Sequence, residues 1–102
     1  MKEIIHAARE ANNWASLVAV VDGNNYAEIA GEAADIAAQI MDDAQHGEAA
    51  LVDAANAVNT VAEEYHKVVG VALEAGQVKV ALRAHRAGDA YRKVWALIVA
   101  IR

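Results

Sequence analysis

Proline does not occur once in the 102 residues, whereas alanine occurs 26 times. Proline is the strongest helix breaker and alanine the best helix former, so nothing in the chain opposes helix over long stretches. Cysteine and phenylalanine are also absent, and aromatic residues make up only 5%. A disulfide or zinc-thiolate scaffold is therefore excluded, and the core must be built from small aliphatic side chains. At 57% hydrophobic residues, the chain is too apolar to remain disordered. It reads as one all-α domain over residues 1–102.

The six glycines fall into two groups. Gly23, Gly47 and Gly76 interrupt the apolar periodicity where a helix-ending residue in the left-handed region is expected. After Gly23, Asn25 and Glu28 have the spacing of a capping box. The expected helices are 2–22, 25–45, 48–75 and 77–101. Links this short predict antiparallel neighbours, that is, an up-down-up-down antiparallel four-helix bundle. The unequal turn spacing and the absence of repeat signatures argue against a helical solenoid.

Periodicity assigns the faces. In the second helix Glu28, Glu32, Asp35, Gln39 and Asp42 form a wet stripe opposite Ile29, Ala33, Ile36 and Ile40. In the third, Ala50, Ala54, Val58, Val61, Tyr65, Val68 and Ala72 face inward. In the fourth, an exposed row Lys79, Arg83, Arg86, Ala90 and Lys93 leaves Ala81, His85, Gly88, Tyr91 or Arg92, Trp95 and Val99 pointing in. Residues 77–102 carry a net +5 and the rest −10, so the basic helix is expected to pair with acidic neighbours. A chain with net charge −5 is a poor nucleic-acid binder.

The second group of glycines, Gly31, Gly70 and Gly88, falls inside helices, where each costs about 0.5–1 kcal/mol relative to alanine. Counting levels along an antiparallel bundle puts Gly31 near Gly88 and Asp89, with Trp14, Tyr26, Tyr65, His85 and Tyr91 around them and Asn12 a turn away. Aromatic walls, a small-residue floor and a few polar groups are the ingredients of a small-molecule pocket. His85 and Asp89, four residues apart, share a helix face, so the carboxylate can orient the imidazole. The expected function is interior binding of a flat, mostly apolar, drug-like molecule. Haem with His85 as sole axial ligand is the alternative, and an unliganded or dimerising bundle is the third.

Other chemistry has less to stand on. Glu3-x-x-His6 and Glu63-x-x-His66 match the spacing of di-iron four-helix proteins, but Glu63 lies on the outer line and Glu3 and His6 at a fraying end, so no metal site is expected there. His46, beside Gly47, reads as a helix C-cap. No nucleophile elbow, phosphate loop or dinucleotide fingerprint occurs, and only a desolvated His85 or Asp89 would serve as a general base. No required cofactor is expected. The charged N-terminus is unlike a signal peptide and no apolar stretch spans a bilayer, so a soluble, cytoplasmic monomer or homodimer with a small-molecule partner and no membrane association is expected.

The short-looped four-helix layout is similar to that of haem-binding four-helix cytochromes, but the chain lacks their early methionine ligand, late histidine and C-x-x-C-H attachment. More closely, it resembles computationally designed four-helix bundles made to bind drug-like molecules or porphyrins, in its minimal glycine loops, its Ala-rich interior and its lack of Pro, Cys and Phe. That resemblance is architectural and implies no individual site residue.

Overall fold

The computed structural model describes residues 2–22 and 26–101, with side chains described from 2 to 20 and from 26 to 101. Four helices follow one another: α1 (Lys2–Asp22), α2 (Ala27–His46), α3 (Glu48–Glu74) and α4 (Val78–Val99). The expected capping box begins at Asn25, which with Gly23 and Asn24 lies outside the described residues. Two of the three predicted glycine turns are visible. Gly47 alone joins α2 to α3 at φ +122°, and Gly76 has φ +75° between α3 and α4. At the latter, Gln77 N–H donates to Ala72 O (2.8 Å) and Gly76 N–H to Leu73 O (3.1 Å). This double closure satisfies two of the carbonyls that the helix end leaves open. His46 Nδ1 lies 2.8 Å from Asp42 O, so the imidazole caps α2 as expected.

Each helix packs on its chain neighbours, and α4 returns to α1, closing a ring in which α3–α4 is the most extensive seam and α2–α3 the least. The bundle measures 42 × 19 × 18 Å. At one end Lys2, Ile4, Glu48, Leu97 and Ile101 line a common cleft, which brings the starts of α1 and α3 to the end of α4, consistent with the up-down-up-down expectation. No described helix is long and apolar enough to cross a membrane.

Methyl-bearing residues fill the interior: Ala8, Ala11, Ala15 and Val18 of α1 meet Ala33, Ala37 and Ile40 of α2, Leu51, Val58 and Ala62 of α3, and Ala84, Val94 and Ile98 of α4. Two large side chains occupy the middle. Tyr65 and Tyr91 are fully buried and their rings are stacked, with centroids 6.1 Å apart and planes 9° from parallel. Tyr91 donates its hydroxyl to Ala33 O at 2.8 Å, tying α4 to α2 across the bundle.

On α4 the inward row differs from the expected one. Ala81, Gly88 and Tyr91 of the predicted row are buried, but the buried face is centred on Val80, Ala84, Ala87, Tyr91, Val94 and Ile98, at alternating steps of four and three, and so is turned by up to one residue (~100°) from the predicted one. This row encloses no charged group, whereas the predicted one would have desolvated His85 and Arg92. The outcome is that His85 is exposed, and Arg92 and Trp95 are half-buried.

The expected pairing of the basic helix with acidic neighbours is also corrected. Among the described residues every ion pair within 4 Å involves a histidine. The most acidic helix, α2, is not adjacent to α4 in the ring, so its carboxylates are out of reach. Two arginines of α4 lie over indole rings instead, Arg86 on Trp14 at 5.2 Å and Arg92 on Trp95 at 5.8 Å.

Candidate metal centre

The residues expected to gather round an interior pocket divide. Tyr65 and Tyr91 stack on each other and fill the space between the helices. Trp14 is half-buried beneath Arg86, Tyr26 packs on the core at the start of α2, and half-buried Asn12 accepts the Ser16 hydroxyl at its carbonyl (3.1 Å). Gly31 is exposed, with nothing within 4 Å of the place its Cβ would take, so it is no floor of a cavity. The cleft at the bundle end and the groove over Ile36 and Val61 are lined by none of these residues.

Two of the expected residues, His85 and Asp89, do come together, on the outside of the α3–α4 seam and with a third, His66, that the periodicity had set aside. His85 Nε2 is 3.2 Å from Asp89 Oδ2, and His66 Nε2 is 3.1 Å from Asp89 Oδ1. One carboxylate thus bridges two imidazoles, one oxygen to each. The i,i+4 contact of His85 with Asp89 is the one their spacing predicted; the partner from α3 was not foreseen. The His66 and His85 ring centroids are 6.0 Å apart. One donor atom from each of the three residues lies within 4.8 Å of the other two.

The backbone positions this group. His66 follows buried Tyr65 and lies one turn after buried Ala62, so it occupies the edge of α3 next to α4 and is only 34% exposed. Gly88 provides the room its ring requires: a Cβ there would come within 2.6 Å of His66 Cδ2, 2.7 Å of Nε2 and 3.2 Å of Ala62 O. The interior glycine of α4 therefore accommodates a histidine from the neighbouring helix rather than a ligand in the core. Exposure of His85 and Asp89, at 59% and 60%, also removes the desolvation that a general base in a closed cavity would need.

Two imidazoles and a carboxylate are a donor set for divalent transition ions. Ligand bonds of about 2.0–2.2 Å in a tetrahedron require donors some 3.3 Å apart; each imidazole already lies at about that distance from one Asp89 oxygen, and a small closure of the 4.8 Å cluster would complete the set. The same three side chains can hold protons between them or an ion, since an ion displaces the ring protons when it binds.

Across the α2–α3 seam, partial burial and then the neighbouring Glu32 carboxyl raise the Glu64 carboxyl above its ordinary range. No known protein family, characterised protein or solved structure is detectably similar to this chain.

Proposed function

We propose that this chain is a helical scaffold that binds a divalent transition-metal ion, zinc or a close analogue, through His66, His85 and Asp89. What carries the proposal is the clustering of three ligand-type donors from two helices within 4.8 Å of one another, with a glycine at position 88, where a Cβ would collide with the His66 ring. A surface ion pair needs no such clearance, because a solvated histidine can take other rotamers. A site for a flat apolar molecule among Trp14, Tyr26, Tyr65 and Tyr91 has less support, since the two buried rings already satisfy each other. Haem through His85 has less support too, because the imidazole is 59% exposed on the outer surface rather than inside the bundle.

Cobalt(II) titration followed by visible absorption, with zinc competition, tests the proposal. The wild type should bind, and His66→Ala, His85→Ala and Asp89→Asn should each lose more than the roughly 10–100-fold typical of losing a group that only supports a ligand. Saturating zinc at about 100 times Kd should add roughly 2.7 kcal/mol of stability. Equal binding by the wild type and all three variants would sink the assignment.

A further inference from the structure

The metal centre adjoins an apolar strip. His66, Gly70 and Leu73 succeed one another at steps of four and three along α3, as do Val78, Leu82, His85 and Asp89 along α4, so each set shares a helix face. The His66–Asp89 contact sets the register between the two helices, which places Gly70 level with His85 and Leu73 level with Leu82. Leu73, Val78 and Leu82 are 56%, 57% and 62% exposed. A Cβ at Gly70 would meet nothing within 4 Å, so the groove is open beside the imidazoles. Of the six large aliphatic side chains that are markedly exposed among the described residues, four lie between 71 and 82.

From this juxtaposition we infer that a second copy of this chain docks on the α3–α4 face and that the two copies share one metal ion. The inference rests on the metal-binding proposal above. Three donors leave an ion short of the four to six ligands that such ions take, and the donors lie on the outer surface, where another chain can reach the vacant positions. A two-fold axis along the groove would bring both requirements together. It lays each Leu73–Val78–Leu82 strip on its counterpart and each His66–His85–Asp89 set on the same ion, as an isologous contact demands.

The strip also explains why the contact would depend on the ion. Three partly exposed aliphatic side chains fall well short of the about 800 Å² per partner that a stable interface buries. Without the ion, moreover, two Asp89 carboxylates would face each other. The cation removes that repulsion and adds bonds to both copies, so pairing becomes conditional on metal.

Native mass spectrometry and sedimentation of the full chain with zinc chloride, alongside a calorimetric titration, test the inference. The wild type should saturate at one zinc per two chains, sediment as a dimer and return to monomer in chelator. Leu82→Glu, at an exposed position that should leave helicity unchanged, should weaken dimerisation at least tenfold and bind zinc as a monomer; Val78→Lys should behave alike. One zinc per wild-type monomer would overturn the shared site while leaving the metal assignment standing. So would a dimer indifferent to chelator or to both substitutions. Failure of the wild type to bind zinc at all would remove the metal assignment, and the shared ion with it.

Discussion

His66 rests against Gly88 so closely that a single methyl group on the glycine would stand 2.6 Å from its ring carbon Cδ2. The close approach at Gly88 leaves room for His66 of α3 in a position from which its Nε2 reaches Asp89 and its ring lies beside that of His85. Hydrogen bonds alone would leave the imidazole several rotamers; the missing side chain makes one of them available.

Gly88→Ala should therefore uncouple the metal centre from the fold. Alanine gains about 1 kcal/mol of helix propensity, and half-buried His66 can swing outward, although Ala62 O, at 3.2 Å from the new Cβ, must yield slightly. Zinc affinity should fall at least tenfold while thermal stability shifts by less than about 1 kcal/mol. Unchanged affinity would show that His66 is not a ligand.

Tyr91→Phe should cost about 1 kcal/mol by deleting the buried hydrogen bond to Ala33 O, or roughly 4–8 °C in a domain of this size. Burial first, and the neighbouring Tyr65 second, raise the Tyr91 phenol well above its ordinary 10.0. A folded-state acid with a raised pKa keeps its proton when the unfolded chain has lost it, so stability falls as pH rises past about 10. Alkaline melting curves of the wild type should decline in this window more steeply than those of Tyr91→Phe. Parallel curves would contradict the assignment.

Glu64 should make the protein more stable in mild acid. Its raised carboxyl binds a proton more readily in the folded chain than in the unfolded one, whose value is near 4.5. Stability is therefore greatest below that value and is lost as pH rises through the raised folded one. Glu64→Gln should stabilise at pH 7 by up to about 1 kcal/mol, the range for a water-screened pair, and should flatten the change between pH 7 and 4.5. A Gln variant less stable than the wild type at pH 7 would mean that Glu64 contributes attraction through Lys67 instead.

Two glycines should respond to alanine with opposite signs. Gly76 has φ +75°, a conformation that costs an L side chain roughly 1–2 kcal/mol, so Gly76→Ala should lower stability by that amount. Gly31 is helical and exposed with open space at its Cβ, and Gly31→Ala should raise stability by about 0.5–1 kcal/mol. Chemical denaturation of both variants checks the pair; destabilisation by Gly31→Ala would mean that its Cβ position is occupied in solution.

The helices and two of the turns were legible in the sequence because they depend on local physics: alanine propensity, the absence of proline, and glycine where the chain must enter positive φ. The buried row of α3 was legible from Val58 onward for a related reason, since apolar residues there recur at helical spacing with few rivals; nearer its start Leu51 and Ala55 are buried in place of the expected Ala50 and Ala54. The face of α4 was not, because its many alanines let several rows pass as apolar, and only contact with both α1 and α3 decided that Val80, Ala84, Tyr91 and Ile98 go inside. The candidate metal centre depended on the same decision. His85 and Asp89 were visible as a pair four residues apart, and Glu63-x-x-His66 pointed at the other imidazole. But the distance from His66 to Asp89 is set by the rotation of two helices about their own axes and by how closely they approach at Gly88. A one-dimensional period fixes which residues share a face; how two faces meet is decided by packing the side chains between them.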